Sequence, residues 1–217
     1  MFELNGHIRG SDSKCLDRAA WLRRGSRIVV AVADGAGKSA DAGFAAEFAI
    51  KHAMKFVGRE TSPLPAEQWL KIVGEIDVPL SLEPSGESTL VVADIGADRV
   101  TGASVGDSKA FLIDGRMVDL TANQQRQPLL GSGEAVVRAF ESVWTAGTVL
   151  VCTDGLHKYA AKDKLVAAAA AMDPRAMIDL GRLPNGKLFD DAAAVLVRRG
   201  IGKQTMQEGV AHFIQVT

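Results

Sequence analysis

Short runs of aliphatic and β-branched residues, separated by turn residues, dominate the hydrophobic pattern of this chain. Residues 2–9, 18–22 and 26–33 are predicted to be strands, and the third run is the clearest because it is rich in valine and isoleucine. A second group of runs predicts further strands at 88–96, 100–107, 109–115, 116–121, 147–155 and 190–199. Glycine and aspartate at most junctions indicate tight turns between neighbouring strands.

Longer stretches with apolar residues at helical spacing lie between these groups. Residues 39–57 are predicted to form a long helix, with Phe44 and Phe48 among its apolar positions. The same reasoning predicts helices at 66–76, 161–172 and 174–183. Residues 78–86 contain two prolines and are predicted to be a loop, and 210–216 is a candidate strand. Strands adjacent along the chain, followed by blocks of helix, predict an α+β fold with helices outside antiparallel sheets.

Four aspartates stand at the ends of predicted strands. Asp34, Asp107 and Asp154 each follow a strand and precede a small turn residue, and Asp191 opens the strand at 190–199. One aspartate in a turn is ordinary, but a buried carboxylate is costly unless a cation or several donors meet it. Ligation by oxygen alone favours Mg²⁺ or Mn²⁺ over zinc. The sequence therefore predicts a metal-dependent enzyme.

Length, composition and charge limit the classes of protein to which this chain can belong. The 217 residues are predicted to form a single domain, 1–217, with a composition ordinary for a globular protein. A formal net charge of −1 gives no reason to expect nucleic acid or an acidic membrane as a partner. No apolar run is long enough to span a bilayer and no signal architecture begins the chain, so a cytoplasmic location is expected. The two cysteines, Cys15 and Cys152, form no disulfide framework.

The segment GAGKS at 35–39 suggests a different chemistry, because it follows a strand and is similar to phosphate-binding loops. That loop needs a glycine five positions before its second glycine, where this chain has Val32. Asp34 would also place a negative charge at a bound pyrophosphate. A nucleotide-dependent enzyme nevertheless stays a rival hypothesis. Tight binding of ATP or NAD that does not require Asp154 would support it.

Seven short motifs, taken in order, resemble those of the metal-dependent serine/threonine protein phosphatases, the PPM or type 2C family. The resemblance runs nearly end to end and is that of a small bacterial-type member. The motifs are CLDRA at 15–19, VAVADGAGKSADAG at 30–43, GESTLVVADI at 86–95, SVGDSKAFLI at 104–113, LLG at 129–131, LVCTDGL at 150–156 and DDAAAVLV at 190–197.

This resemblance implies a four-layer α-β-β-α sandwich of two antiparallel sheets, with two Mn²⁺ or Mg²⁺ ions at one edge. Asp34 would bridge the two ions, with the Gly35 carbonyl as a further ligand. Asp154 and Asp191 would hold one of the ions. Asp107, together with Asp154, matches the position of a third, more weakly bound ion.

The implied reaction is hydrolysis of phosphoserine and phosphothreonine monoesters by a water molecule that bridges the metal ions. Asp34, Asp154 and Asp191 are then the candidate catalytic residues, acting through the metal-activated water. Asp17 matches an acid that supports the site rather than binding metal. The implied partners are a phosphorylated protein substrate and a cognate serine/threonine kinase.

The chain departs from the family pattern at several positions. Asp12 stands where many members have an arginine that binds substrate phosphate, which leaves Arg9 and Lys14 as candidate phosphate-binding residues. Ala36 replaces a histidine that serves as general acid in some members, and Leu16 replaces a metal-binding acid of animal members.

The interval between the second and third metal-binding motifs is also short. Only 46 residues lie between Asp107 and Asp154, so the flap subdomain found there in many members is expected to be reduced or absent. These departures keep an alternative open: a catalytically weak or inactive module that binds phosphoproteins or regulates a kinase.

Overall fold

The computed structural model of the protein describes residues 1–37, 42–200 and 204–206. Within them, the helices are α1 (Ala42–Lys55), α2 (Ala66–Gly74), α3 (Asp77–Ser81), α4 (Asp154–His157), α5 (Lys162–Ala170) and α6 (Pro174–Asp179). The strands are β1 (Phe2–Arg9), β2 (Arg18–Arg24), β3 (Arg27–Ala33), β4 (Gly35–Ala36), β5 (Glu87–Ser88), β6 (Leu90–Ile95), β7 (Arg99–Val105), β8 (Lys109–Asp114), β9 (Arg116–Asp119), β10 (Arg138–Val143), β11 (Thr148–Cys152), β12 (Ala192–Arg199) and β13 (Gln204–Met206).

Two large sheets organise the described chain. The first has the strand order β13-β1-β12-β11-β8-β9, the second has the order β10-β7-β6-β3-β2, and β4 pairs separately with β5. Every pair in the large sheets is antiparallel except β1 with β13, which is parallel. The α+β class and the two antiparallel sheets predicted from the sequence are therefore confirmed.

Buried side chains form three apolar layers between the helices and sheets. One layer lies between the two sheets and includes Val30, Val151 and Val195. Another joins α1 and α2 to the outer face of the second sheet, and the third joins α4, α5 and α6 to the outer face of the first. Central strands such as β3 are buried on both faces, which is why they appear in the sequence as continuous apolar runs without alternation.

The predicted helices are found with shorter bounds. The stretch 39–57 contains α1 from Ala42 to Lys55, and 39–41 lie outside the described residues. The predicted loop at 78–86 is wrong in its first part, where α3 forms. Pro79 is tolerated there because the first helical turn needs no amide hydrogen from it. Among the described residues, no helix is both long enough and apolar enough to cross a membrane.

Neither β10 nor β13 has a clear hydrophobic run that would predict it. β10 alternates between exposed and more buried positions at the edge of the second sheet, so it lacks the apolar texture of the central strands. β13 comprises only three residues and pairs with β1. The candidate strand at 210–216 lies outside the described residues.

A buried ion pair joins the second sheet to the segment before α2. The Arg27 guanidinium donates two hydrogen bonds, of 2.6 and 2.5 Å, to the Asp94 carboxylate, and both side chains are 0% exposed. Asp94 also accepts hydrogen bonds from the Leu64 amide and the Trp69 indole, both at 2.9 Å. A buried charge with this many partners is satisfied, and removing one partner would leave the other uncompensated.

Candidate active site

Asp17 and Asp34 lie at one end of the second sheet. β2 and β3 are antiparallel with Arg18 opposite Ala33, so the residue before β2 and the residue after β3 reach the same edge. Asp17 is fully buried, and its Oδ2 accepts a hydrogen bond of 2.7 Å from the Thr153 hydroxyl. Its Oδ1 is buried without a hydrogen-bond partner among the described residues. A buried carboxylate oxygen is costly unless a proton or a cation meets it, and the Asp34 side chain is close enough to share a hydrogen bond with Asp17.

Asp107, Asp154 and the pair 190–191 lie at the corresponding end of the first sheet. The antiparallel register aligns the start of β8, the end of β11 and the start of β12, and these acids flank those strand ends. Thr153 connects this end to the second sheet, because its hydroxyl donates to Asp17 and accepts an amide hydrogen of β12 at 2.8 Å. The edges of the two sheets thus present their acids to one shared region.

Burial and neighbouring acids raise the pKa values of three carboxyls in this region, Asp17, Asp34 and Asp190. Burial, followed by the charges of Asp154, Asp190 and Asp107, raises the pKa of Asp34 to about 7. Burial and then the charge of Asp34 raise the pKa of Asp17, and burial and then Asp154 raise that of Asp190. Carboxylates that repel in this way create a region where a cation is strongly favoured.

A lysine side chain already supplies one positive charge to this region. The Lys158 ammonium donates to Asp107 Oδ2 at 2.7 Å and to Asp154 Oδ2 at 2.6 Å. Although burial lowers the pKa of Lys158, these two carboxylates outweigh that effect and raise it. Arg126 adds a second cation, with its Nε 3.2 Å from Asp107 Oδ2.

Asp191, a predicted metal ligand, has both carboxylate oxygens engaged by the loop that precedes β2. Its Oδ1 accepts hydrogen bonds from the Ser11 amide at 2.7 Å and the Ser11 hydroxyl at 3.0 Å, and its Oδ2 accepts one from the Leu16 amide at 2.6 Å. Its neighbour Asp190 is among the charges that raise the pKa of Asp34, whereas Asp191 is among those that raise the pKa of Asp17. Asp190 is absent from the ligands predicted from the sequence, although an Asp-Asp doublet indicates that either acid could face the site.

Glycine is required beside Asp154. A side-chain carbon on Gly155 would lie 1.9 Å from the carbonyl oxygen of Asp191, so this close approach of two backbone segments excludes other residues.

Gly35, the predicted carbonyl ligand, is buried in β4 opposite Ser88. The Ser88 hydroxyl and the Thr89 amide both donate to the Asp34 carbonyl, and they fix the turn after β3.

The two predicted phosphate-binding residues have other contacts. The Arg9 guanidinium lies 3.6 Å from an oxygen of Asp179. Lys14 is exposed, and its amide donates to the Asp12 side chain at 2.6 Å. Neither side chain is joined by a hydrogen bond or ion pair to Asp34 or its neighbouring acids within the described residues, and their role in phosphate binding stays a prediction.

The acids do not form a complete metal cage. Across residues 1–37, 42–200 and 204–206, no group of three histidine, cysteine, aspartate or glutamate side chains is close enough to enclose an ion. The carboxylate oxygens of Asp34, Asp154 and Asp190 nevertheless suit a hard divalent cation, because burial and the charges of Asp154 and Asp190 disfavour the charged form of Asp34 without one. Lys38 and Ser39 of the GAGKS segment lie outside the described residues.

Known structures show the same fold. A serine/threonine phosphatase of S. agalactiae matches with a TM-score of 0.73 and 13% identity, covering 91% of this chain and 99% of that one. The catalytic domain of the serine/threonine phosphatase PstP, in complex with two manganese ions, matches with a TM-score of 0.70 and 19% identity over 90% and 97% of the two chains. A chain from work on the bacterial stressosome matches with a TM-score of 0.66 and 17% identity over 91% and 100%.

The sequence itself also matches a defined family. The family model described as stage II sporulation protein E (SpoIIE) matches residues 24–200. No curated protein matches the chain. Since the family model spans most of the sequence and the fold agrees with that of bacterial serine/threonine phosphatases, the chain belongs to the SpoIIE family of PPM-type phosphatases.

Proposed function

We propose that this protein hydrolyses phosphoserine and phosphothreonine monoesters in proteins, using two Mn²⁺ or Mg²⁺ ions. The observation that carries the proposal is the convergence of buried strand-end acids from both sheets, which raises the pKa of Asp34 to about 7. The manganese complex of PstP, a chain of the same fold, supports the choice of metal. A phosphorylated protein is then the substrate, and the kinase that phosphorylates it is the expected partner.

Asp34 and Asp154 would hold the ions, as the sequence predicts, and Asp190 takes the place proposed earlier for Asp191. The electrostatic influence of Asp190 on Asp34 and the engagement of both Asp191 oxygens by Ser11 and Leu16 support this exchange. Asp191 then anchors the loop that carries Asp17. When bound, the ions would activate a water molecule and offset the charge of the phosphoryl group.

The residues around these acids hold the site in place. Thr153 fixes one oxygen of Asp17 and an amide of β12, so the two sheet edges keep their spacing. Because the pKa of Asp34 is raised to about 7, its carboxylate would be available to hold a cation from about neutral pH upwards. In the overall reaction, water and the phosphate ester give the free serine or threonine hydroxyl and inorganic phosphate.

Turnover of p-nitrophenyl phosphate and of a phosphothreonine peptide tests this proposal. The protein is assayed in EDTA and after addition of Mn²⁺ or Mg²⁺, with Asp154→Asn as the variant and Asp163→Asn, an exposed acid of α5, as the control. Metal should restore turnover in the unaltered protein and in the control, and Asp154→Asn should lose nearly all of it. Retention of most activity in Asp154→Asn would refute the metal assignment.

One observation favours the alternative of a weak or inactive phosphoprotein-binding module. The Lys158 ammonium sits between Asp107 and Asp154, two of the acids predicted to bind metal. Metal binding and phosphopeptide binding without turnover on either substrate would select this alternative.

A further inference from the structure

Lys158 is placed by the backbone to meet two acids of the site at once. Lys158 directly follows α4, and its amide donates to the Asp154 carbonyl at 3.0 Å, so it stands one helical turn after Asp154. The ammonium is thereby tethered within reach of the Asp154 carboxylate. Asp107 approaches from the start of β8 and accepts from the same ammonium.

The two contacts are strong ones by their geometry. Distances of 2.7 and 2.6 Å are short, as is usual for charge-assisted hydrogen bonds from an ammonium to carboxylate oxygens. The acids are largely shielded, with side chains 18% and 11% exposed for Asp107 and Asp154, whereas Lys158 is 34% exposed. Shielding from water reduces the screening that weakens surface ion pairs.

Further contacts hold Asp107 toward α4. His157, the residue immediately before Lys158, has its Nε2 2.9 Å from the backbone carbonyl of Asp107. This contact holds the turn that carries Asp107. The Arg126 guanidinium approaches the same Asp107 oxygen that Lys158 binds. The arrangement therefore neutralises the Asp107 and Asp154 pair with side chains of the protein.

We propose that Lys158 is an internal cation that occupies the space between Asp107 and Asp154 and keeps a further divalent ion from binding there. The inference rests on the proposed function, since it concerns how many ions the acidic edge accepts. A divalent ion that used one oxygen from each acid would have to displace the ammonium. Because the ammonium is tethered, its effective concentration at these oxygens is high and does not depend on the surrounding solution.

The number of bound ions tests the inference directly. Mn²⁺ is titrated into metal-free protein, and the free ion is counted by electron paramagnetic resonance alongside isothermal calorimetry. Lys158→Met and Lys158→Gln are expected to bind one more Mn²⁺ per chain than the unaltered protein. Lys158→Arg, which keeps a cation, and Lys164→Met, which removes an exposed lysine of α5, are expected to bind the unaltered number.

A second variant identifies where the extra ion binds. Adding Asp107→Asn to Lys158→Met should remove the additional ion and return the count to that of the unaltered protein. Circular dichroism of each variant establishes that it is folded before its ions are counted. Equal, non-zero counts in the unaltered protein and in both charge-removing variants would overturn the role of Lys158 alone. Absence of Mn²⁺ binding in every variant would overturn the proposed function and this inference with it.

Discussion

Replacing Asp34 with asparagine should make the metal-free protein more stable while removing its response to metal. The pKa of Asp34 is raised from 3.8 to about 7 by burial and by the charges of Asp154, Asp190 and Asp107. Between those two pH values the folded state binds more protons than the unfolded chain, so the unfolding free energy falls as the pH rises through this window. Above about pH 7 the whole cost of the buried charge is present.

The size of the effect follows from the shift of about three pH units. Each unit corresponds to about 1.4 kcal/mol, so ionised Asp34 destabilises the metal-free fold by up to roughly 4 kcal/mol at pH 8. At pH 5 the carboxyl is largely protonated in the folded state, and the difference should shrink to less than half of that value. The Asp34 amide donates to the Thr89 hydroxyl, and this contact survives the substitution.

Urea unfolding in EDTA at pH 8 and pH 5 measures the difference, and thermal unfolding with added Mn²⁺ measures the response to metal. Asp34→Asn should unfold at higher urea than the unaltered protein at pH 8, and Mn²⁺ should raise the melting temperature of the unaltered protein only. Asp163→Asn is the matched control and should stay within about 0.5 kcal/mol of the unaltered protein at both pH values. Equal stability of Asp34→Asn and the unaltered protein at pH 8 would refute the account of repelling acids.

Two further substitutions probe the fold and the ligand set. Arg27→Met removes one member of the fully buried ion pair and leaves the Asp94 charge uncompensated. It should lower the free energy of unfolding, measured in urea, by about 3–5 kcal/mol. A loss below about 1 kcal/mol would show that the pair is not buried as described. Asp190→Asn should weaken Mn²⁺ binding, measured by calorimetry, at least ten-fold. Asp191→Asn should bind Mn²⁺ more nearly like the unaltered protein. It should instead lower the melting temperature, because Asp191 holds the loop before β2. The reverse ranking in Mn²⁺ affinity would restore Asp191 as the ligand.

The sheets and the acidic edge could be predicted because one physical cause produces both. Strands buried on two faces require continuous apolar runs, and these runs stand out in the sequence at β3, β6, β11 and β12. Acids placed at the ends of such strands must meet once antiparallel register aligns the ends. Asp34, Asp107 and Asp154 could be found in this way from the sequence alone.

Features that depend on side-chain direction or distant pairing could not be predicted. Adjacent residues such as Asp190 and Asp191 point in different directions, and the sequence pattern does not say which acid of a doublet turns toward the site. The Arg27 and Asp94 pair spans 67 positions, and each member alone reads as an ordinary charge within an apolar run. The role of Lys158 could likewise not be predicted, because it depends on a contact with Asp107, which lies 51 positions away in the sequence.

The position of β1 between β12 and β13 bears on the order in which the protein can assemble. β1 begins at Phe2 and pairs along its length with β12, which ends at Arg199, and the Ser11 amide reaches Asp191 across 180 positions. Contacts between such distant segments form late, because a long loop must close before any of them stabilises the fold. All strands of the second sheet, together with α1 and α2, have been synthesised by the end of β10, before β11 and β12 of the first sheet. The acidic edge cannot form until β12 has been synthesised, and a ribosome-bound chain that lacks β12 should therefore bind no metal at this edge.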